Sequence, residues 1–464
     1  MPAAVDLMRE RAAIALELAK GLALANDRRF WQVKVDVAGV GPADGPLSLY
    51  ASDNPEGIHD VVERRAAMAL VNPSVMLTLA YRGTGPFTAP QPVRAIAVMP
   101  SYDLFAFVVT ADTGLTSLED VRERRFPLQI SMRGQRSHSI HPVLDCVLRA
   151  AGFSVDELVS WGGGIHYEGG FDAPERSGFD APERLKMAQD GTINAIFDEA
   201  IVRWLDKALA IGMRALPLGA TTMRNLEALG FRPNVLEAAV YPKLGADVET
   251  IDFSGFAIFV REDAPDALVT SICAGLDHRR DRVPWEGAGP LPVAHMVRDT
   301  PDGPLDVPLH PAAERYWNER GYRTGEKSRE VGQQHPRPVP VEPPPRIRSM
   351  LTLEVASEIL ERSAGTAPGA FATRIGMRQQ TQDFGDWFAT IVAGDPDASR
   401  AAVAAGQADL AVVPVADAGA DGLGLRSIAT LGENELVVRP DMPADVVAAF
   451  QRAAEARRGV IRGA

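Results

Sequence analysis

One stretch of the sequence decides the fold: Phe126-Pro-Leu-Gln-Ile-Ser-Met-Arg-Gly-Gln-Arg-Ser-His-Ser-Ile-His-Pro-Val-Leu-Asp-Cys-Val-Leu-Arg-Ala-Ala-Gly152. From Leu128 to Met132 apolar residues alternate with polar or small ones, which predicts a short strand. From Val143 to Leu148 apolar residues recur at helical spacing before Gly152, which predicts a helix. A strand, a polar turn and a helix in this order form the basic unit of an α/β fold.

The polar turn within this stretch is a candidate anion site. Arg133 and Arg136 lie in it, and Ser137 or Ser139 can cap the following helix. Free backbone N–H groups and the positive end of the helix dipole would then meet two cations in one small volume, which favours a carboxylate or a phosphate. The alternative is an ordinary capped turn with two solvated arginines.

Composition limits the function classes. The chain has 464 residues, of which 46% are hydrophobic and 23% charged, so two or three globular domains are expected. Its formal net charge of -13 argues against a general nucleic-acid binder. Cys146 and Cys273 each lie in an apolar helical pattern without nearby metal-ligand partners, so both are predicted to be buried thiols.

The N-terminus predicts the compartment. Met1 leads into a helical pattern broken by charges, unlike the basic start and unbroken apolar run of a signal peptide. No window of about 20 residues is apolar enough to span a bilayer. The sequence as it stands therefore predicts a cytoplasmic protein.

Strand and helix patterns alternate along most of the chain and predict two lobes. We expect lobe 1 to comprise residues 1–112 and 253–325, and lobe 2 to comprise 113–252, so that two crossovers form a hinged cleft. Within lobe 1, Asp53 to Ala69 is predicted to be a helix and Val75 to Ala80 a strand.

Two other segments bear on the domain organisation. Residues 326–348 are proline-dense and predict an extended linker, followed by a C-terminal α/β domain over 349–464. Residues 170–177 and 178–185 form a near-perfect tandem copy, which we interpret as a duplication in a surface loop without a functional role.

The C-terminal segment repeats the order of elements at the N-terminus. Ala15-Leu-Glu-Leu-Ala-Lys corresponds to Thr352-Leu-Glu-Val-Ala-Ser, the segment from Arg64 to that from Arg400, and Arg94-Ala-Ile-Ala-Val to Arg426-Ser-Ile-Ala-Thr. The repeat has a period of about 340 residues and predicts a diverged copy of the first half-lobe. Chance similarity between two α/β units is the alternative.

Several motifs resemble one family. They are Ser117-Leu-Glu-Asp-Val with the turn 131–139, Leu185-Lys-Met-Ala-Gln-Asp-Gly-Thr-Ile-Asn-Ala-Ile-Phe, Tyr241-Pro, and Leu309-His-Pro-Ala-Ala-Glu-Arg-Tyr-Trp-Asn-Glu-Arg-Gly. Residues 10–325 resemble the solute-binding subunit of TRAP transporters of the TAXI type. The resemblance implies a two-lobed, class II periplasmic-binding-protein-like α/β fold, here extended by a C-terminal half-lobe repeat. It also implies a small carboxylate ligand and delivery to a TRAP-type membrane permease.

The chain departs from that family at its start. Family members are normally exported to the periplasm and have a glycine-rich first strand, whereas this sequence begins at the first helix. The departure implies an open sheet position that another segment must fill. Either the coding sequence starts upstream, or this is a cytoplasmic descendant with a rebuilt pocket, which we favour.

The resemblance also implies the ligand-binding residues. Arg133 or Arg136 would hold a carboxylate in a bidentate fork, and Asp198 and Glu199 would orient a ligand hydroxyl or amine. The alternative for Asp198 and Glu199 is a pair of acids at a helix N-terminus that the helix dipole stabilises. The full set is Asn72 and Ser74 at the start of a lobe 1 strand, Arg133, Gln135, Arg136, Ser137 and His138 in the turn, Asp198 and Glu199 after a lobe 2 strand, and Tyr241 near the hinge.

No catalytic residue, metal or cofactor is predicted. His138 and His141 lack a third ligand, and the sequence contains no Ser-His-Asp elbow, Walker loop or Rossmann fingerprint. The first hypothesis is therefore a small-acid-binding protein. The alternatives are a lyase of the same fold, such as a decarboxylase of aromatic or dicarboxylic acids that uses His138 or Asp198, and a transporter subunit with a lost leader.

Overall fold

The computed structural model describes most of the chain. The described residues are 2–24, 31–37, 47–51, 55–135, 138–170, 181–285, 287–322, 347–362, 373–379, 389–415 and 422–461. Most of the predicted linker, most of the tandem copy, and the candidate site residues Arg136 and Ser137 lie outside them. Within these ranges, no helix is both long and apolar enough to cross a membrane.

Lobe 1 begins with two helices and three strands before its central helix. The segment Val75–Arg82 is a helix, and the preceding strand is Met68–Val71, so the predicted strand from Val75 to Ala80 is wrong. Every residue from Val75 to Ala80 is buried, and a short run that is apolar throughout has no periodicity to separate helix from strand. The elements are α1 Pro2–Leu24, β1 Trp31–Val37, β2 Leu47–Ala51, α2 Glu56–Val62, β3 Met68–Val71, α3 Val75–Arg82 and β4 Val93–Met99.

Lobe 2 is built around a five-stranded sheet in the order β7-β6-β8-β5-β9. Its elements are β5 Phe105–Thr110, α4 Leu118–Arg124, β6 Gln129–Arg133, α5 Ile140–Ala150, α6 Val155–Ser160, β7 Gly164–Glu168, α7 Pro182–Gln189, β8 Ala195–Glu199, α8 Val202–Ala210, β9 Met213–Ala215, α9 Ala220–Leu229, β10 Pro233–Leu236 and β11 Val248–Ile251. The decisive stretch of the sequence is thus β6 and α5, as predicted.

Two crossovers connect the lobes. The chain leaves lobe 1 over residues 100–104 and returns over 252–255 to β12 Phe256–Arg261, α10 Asp266–His278, α11 Val293–Met296 and α12 Pro311–Glu319. The crossovers touch, because the Ser254 hydroxyl accepts the backbone N–H of Asp103 at 3.0 Å. Since β5 belongs to the lobe 2 sheet, the first crossover precedes the boundary that the sequence predicts after residue 112. The alternating pattern of β5 alone does not say which sheet it joins.

The C-terminal segment continues the sheet of lobe 1. Its elements are α13 Ile347–Arg362, β13 Thr373–Gln379, β14 Ala389–Ala393, α14 Pro396–Ala404, β15 Leu410–Pro414, β16 Arg426–Leu431, β17 Asn434–Val438 and α15 Ala444–Ile461. Together the strands form one ten-stranded sheet in the order β16-β17-β15-β14-β13-β1-β2-β3-β12-β4. The edge of β1 that the sequence leaves open is paired with β13 in antiparallel register.

This sheet is symmetric about the β1/β13 pair. The pairs β1/β2 and β13/β14 are antiparallel, β2/β3 and β14/β15 are parallel, and the outer pairs on both sides are antiparallel. In the central pair Lys34 lies opposite Gly376. Two copies of one five-stranded unit are therefore related by an approximate two-fold axis, which confirms the predicted half-lobe repeat and, with the two lobes, the predicted fold class. In the second copy, the β16–β17 hairpin stands where lobe 2 is inserted in the first.

The copies exchange their first helices. Helix α1 packs on α15 and over β14, whereas α13 packs on α10 and over β1 and β2. These helices and one face of the ten strands enclose a single large core that contains residues from both copies. A second core joins α2, α3 and the opposite face of the lobe 1 strands to β5, β6 and α5 of lobe 2.

Buried ion pairs repeat the symmetry at the contact between α1 and α13. Arg457 of α15 donates through Nε to Glu17 of α1 at 2.9 Å, and Arg279, directly after α10, donates through Nη1 to Glu354 of α13 at 3.0 Å. Lys20 is fully buried between the two acids, with Nζ 2.8 Å from Glu17 Oε1 and 2.9 Å from Glu354 Oε1. One lysine thus bridges two carboxylates contributed by the two copies, and each of the two also has an arginine partner.

Candidate functional site

The candidate site lies at one edge of the lobe 2 sheet. Strands β7, β6 and β8 are parallel neighbours, so their carboxyl ends meet at the same edge, where open α/β sheets bind ligands. These ends carry Glu168, Arg133, and Asp198 with Glu199, and Arg133 lies directly opposite Glu168 in the register. The fold therefore gathers four charged residues that are far apart in sequence.

Arg133 is bound by the protein's own acids. Its Nη2 atom lies 2.6 Å from Asp198 Oδ1 and also donates to Glu199 Oε2. The side chain is 6% exposed. Burial lowers the pKa of Arg133, but Asp198 and Glu199 outweigh burial and raise it above its ordinary value. The arginine predicted to present an open fork to a ligand is therefore already engaged, because the strands on both sides of β6 end in carboxylates.

Sequence reasoning missed a second arginine at this edge. Arg184 of α7 is fully buried; its Nη2 lies 2.7 Å from Glu168 Oε2, and its Nη1 donates to Asp198 Oδ2. It belongs to the second tandem copy, to which the sequence analysis assigned no role, and that interpretation is wrong for this residue. The equivalent Arg176 of the first copy has the same neighbours in sequence, so the motif itself does not single out Arg184. The signal that remains is the position of Arg184 at a helix start shortly before β8.

His138 adjoins Arg133. Its Nδ1 accepts the backbone N–H of Ile140 at 3.1 Å, and its Nε2 lies 2.8 Å from Arg133 Nη1 and 3.8 Å from Glu199 Oε1. The Arg133 guanidinium can only donate, so its contact needs an unprotonated Nε2, whereas the bond from Ile140 needs an unprotonated Nδ1. A neutral imidazole has only one unprotonated nitrogen, so it satisfies one of the two donors at a time. Among the described residues, His138 and not Ser139 provides a side-chain acceptor at the start of α5, and Ser137 lies outside them.

The neighbouring His141 and Gln135 form a separate contact. His141 Nε2 lies 2.7 Å from the Gln135 carbonyl oxygen and donates to it. Burial holds the pKa of His141 below its ordinary value, so the ring is neutral near pH 7. Across the described residues, no group of three or more His, Cys, Asp or Glu side chains is arranged to hold a metal ion.

Asn72 and Ser74 lie between β3 and α3, at the start of a helix and not at the start of a strand as predicted. The Ser139 hydroxyl, in the cap of α5, donates to the Asn72 carbonyl, which links lobe 2 to lobe 1. The Ser74 hydroxyl donates to the Ser254 carbonyl at 2.8 Å in the second crossover. The turn that follows β6 therefore faces the end of β3 across the boundary between the lobes.

Tyr241 lies behind the site. It is fully buried in the core of lobe 2, and its hydroxyl donates to the Ala200 carbonyl, one residue after Glu199. Burial raises the pKa of its hydroxyl. Its contacts support the end of β8, and a role as a ligand contact near the hinge stays a prediction.

The hinge contains a buried acid. Asp252 accepts hydrogen bonds from the Ser254 hydroxyl at 2.7 Å and from Asn234 Nδ2 at 3.2 Å. Burial raises the pKa of Asp252 to about 6, although these bonds and the nearby Arg232 act in the opposite direction. Arg232 in turn forms a bidentate pair with Asp306, at 2.8 and 2.7 Å, and so connects lobe 2 to the returning segment of lobe 1.

Comparison with known proteins identifies one family. The sequence profile of the NMT1-like family matches residues 54–321. No curated protein matches the chain in sequence. The alkanesulfonate-binding protein SsuA from Xanthomonas axonopodis pv. citri bound to MOPS is similar at 14% identity and a TM-score of 0.23 over 49% of this chain.

That match spans 62% of the SsuA chain, somewhat less than two thirds of its length. A mutant of the desulfurization enzyme DSZB in complex with biphenyl-2-sulfinic acid is similar at 13% identity, with a TM-score of 0.23 over 49% of this chain and 75% of that one. A periplasmic transporter is similar at 12% identity and a TM-score of 0.21, over 44% of this chain and 59% of that one. Likeness of this degree supports no conclusion about a ligand.

Proposed function

Because the chain belongs to the NMT1-like family of solute-binding, periplasmic-binding-protein-like proteins, we propose that it binds a small carboxylate-bearing solute between lobe 1 and lobe 2. The observation that carries the proposal is the hydrogen bond from Ser139 to the Asn72 carbonyl. It brings the turn after β6 against the end of β3, so a ligand at the sheet edge contacts both lobes.

The chemistry of this turn supports an acidic ligand. Arg133 lies at the carboxyl end of β6 and already binds carboxylates in the protein itself. The positive end of α5 faces the same turn, and both features stabilise negative charge. By sequence the turn also contains Arg136.

The subtype, the partner and the compartment are parts of the proposal. Similarity to TAXI-type subunits would make a TRAP-type permease the partner of an exported form, and a cytoplasmic carrier is the form that we favour. Fractionation of cells that express the gene from its chromosomal locus separates these forms. Recovery in the periplasmic fraction would overturn the cytoplasmic assignment.

Ligand-dependent unfolding tests binding. The protein is heated with single small dicarboxylates and aromatic acids, and native mass spectrometry identifies any acid that copurifies. A ligand at 100-fold its dissociation constant stabilises the folded state by about 2.7 kcal/mol, which raises the melting temperature. The absence of a shift with every acid, together with the absence of a copurified ligand, would refute the proposal.

The site is probed best through Ser139, because changing Arg133 removes the counter-charge of Asp198 and Glu199 and confounds binding with folding. Ser139→Ala removes one hydrogen bond between the lobes, worth about 1 kcal/mol, so affinity should fall about fivefold. Ser271→Ala is the matched control, because this hydroxyl lies on the exposed side of α10 and bonds only within its own helix among the described contacts. Equal affinity in both variants would place the ligand elsewhere.

The position of His138 keeps a lyase as the second candidate. Its imidazole contacts Arg133 and lies beside Glu199, so it is placed to exchange a proton with an acid bound there. Any acid that shifts the melting temperature is therefore incubated with the protein and assayed for released carbon dioxide. Turnover that is lost in His138→Ala would favour the lyase, and unchanged acid recovered in full would favour the binding protein.

A further inference from the structure

One loop of lobe 1 contacts both crossovers. It comprises residues 299–306, between α11 and α12, and we call it the strap. The Asp302 carbonyl accepts the backbone N–H of Ser101, in the first crossover, at 2.8 Å. Pro304 lies beside Gly255, in the second crossover, where a Cβ added to the glycine would be 3.2 Å from Pro304 Cδ. The strap therefore lies directly on the two segments about which lobe 2 would rotate.

The strap is closed on itself and attached to the lobe 1 sheet. The backbones of Thr300 and Gly303 are bonded to each other in both directions, at 3.4 and 3.3 Å. Asp299 accepts the backbone N–H of Leu305 at 3.2 Å. Directly after the strap, residues 308–310 bond to the outer edge of β4. These contacts hold the carboxylates of the strap in defined positions relative to lobe 1.

One arginine of lobe 2 joins two of these carboxylates. Arg232 comes directly before β10, and its Nη2 lies 2.7 Å from Asp299 Oδ1 and 2.7 Å from Asp306 Oδ1. Its Nε donates to Asp306 Oδ2 at 2.8 Å. Burial lowers the pKa of Arg232, but Asp306 and Asp299 outweigh burial and raise it above its ordinary value. A bidentate pair has a fixed geometry, so it specifies one orientation of lobe 2 on the strap.

The corner of lobe 2 that carries Arg232 also meets a second segment of lobe 1. The Thr84 hydroxyl, after α3, donates to the Leu229 carbonyl at 2.6 Å. A Cβ added to Gly230 would be 3.1 Å from a side chain of α3. Residues 229–232 are thus held by α3 and by the strap, and moving them off lobe 1 requires that the Arg232 pairs break.

From these contacts we propose that the strap holds the two lobes together in the arrangement in which Ser139 meets Asn72. The pairs that Arg232 forms with Asp299 and Asp306 then determine how often the lobes separate. The inference goes beyond the proposed function, because it holds with or without a ligand. Lobes held in this way present a preformed site, so a ligand does not have to supply the free energy of closing them.

A thiol of the protein itself detects separation of the lobes. Cys146 of α5 belongs to lobe 2 and is buried against lobe 1, where a Cβ added to Gly85 would be 3.0 Å from its Sγ. Cys273 of α10 is buried in the core that the two copies share. Separation of the lobes would expose Cys146 and leave Cys273 buried, whereas unfolding of the whole chain would expose both. The labelling rates of the two thiols therefore distinguish the two events.

The thiols of the full chain are labelled with iodoacetamide under native conditions, and peptide mass spectrometry measures the rate at each. In Arg232→Gln, Cys146 should be labelled about fivefold faster than in the wild type, since a partly exposed ion pair shifts an opening equilibrium by up to about that factor. The labelling of Cys273 should not change. Arg315→Gln is the matched control, because Arg315 pairs with Asp266 within lobe 1, and it should behave like the wild type.

A milder variant keeps the test decisive if Arg232→Gln does not fold. Asp306→Asn leaves Asp299 as a partner of Arg232, and it should still accelerate labelling of Cys146 alone. Equal acceleration at both thiols would overturn the proposal, because the variant would then have destabilised the whole chain. Unchanged labelling of Cys146 would also overturn it, because the strap would not limit separation of the lobes. No outcome depends on a ligand, so the proposed function is tested separately.

Discussion

Lys20 provides the sharpest test of the two-copy architecture. It is the buried cation between Glu17 of the first copy and Glu354 of the second, at 2.8 and 2.9 Å. Removal of one partner from a buried ionic group costs about 3–5 kcal/mol, because the remaining charges lose their compensation. Each acid keeps an arginine, Arg457 or Arg279, so we expect Lys20→Met to cost about 3 kcal/mol, the lower end of that range.

The measurement is equilibrium unfolding in urea at pH 7, followed by circular dichroism. Lys34→Met is the matched control: its side chain is 39% exposed and lies 3.7 Å from Asp36, so its loss should cost less than about 1 kcal/mol. Adding Glu354→Gln to Lys20→Met removes one of the two acids that have lost Lys20 as a partner and should recover part of the loss. A cost for Lys20→Met no larger than that of Lys34→Met would refute the role assigned to this lysine.

The same ion pairs determine the pH dependence. Burial acts to raise the pKa of Glu17, but Lys20 and Arg457 outweigh burial and hold it below its unfolded value of 4.5. A carboxyl whose folded pKa is depressed contributes stability that is present above the unfolded pKa and is lost as the pH falls through the folded pKa. The difference in free energy of unfolding between wild type and Lys20→Met should therefore be complete at pH 7 and become smaller below about pH 4.5. A difference that grows on acidification would contradict this sign.

Three further predictions concern packing, the hinge and the thiols. Gly21→Ala should destabilise the protein, because the added Cβ would meet a backbone carbonyl oxygen of α15 at 2.8 Å. Gly459→Ala should not, because its Cβ would have nothing within 4 Å, and thermal unfolding compares the two variants. In the wild type, the free energy of unfolding should fall as the pH rises from about 4 to 7, because a folded pKa of Asp252 raised to about 6 favours the protonated state. Asp252→Asn should abolish this fall, and urea unfolding at several pH values measures it. Cys146 and Cys273 are buried, and burial raises the pKa of both thiols, so neither should react with a thiol reagent until the protein is unfolded; rapid reaction of the native protein would contradict this.

The sequence predicts the repeat because the order of elements survives divergence better than individual residues do. It does not predict β2 and β14, which occupy equivalent places in the two copies. Both are five-residue strands, too short for alternation to be distinguished from chance. The sequence also does not predict that α1 and α13 exchange places, because an apolar helix face packs equally well on its own strands or on those of an equivalent copy.

The candidate site shows the same limit at the level of one residue. The pattern of apolar residues places Arg133 at the end of a strand, but it does not reveal which strands lie on either side of β6. That information decides the chemistry: with β7 and β8 as neighbours, Glu168, Asp198 and Glu199 end at the same edge, and Arg133 is neutralised from within. The sequence analysis predicts Arg133, Asp198 and Glu199 separately as ligand contacts and assigns no role to Glu168, although parallel strands bring the residues at their carboxyl ends together. The engagement of Arg133 by acids of the protein itself therefore follows from the order of the strands, which the sequence of β6 alone does not contain.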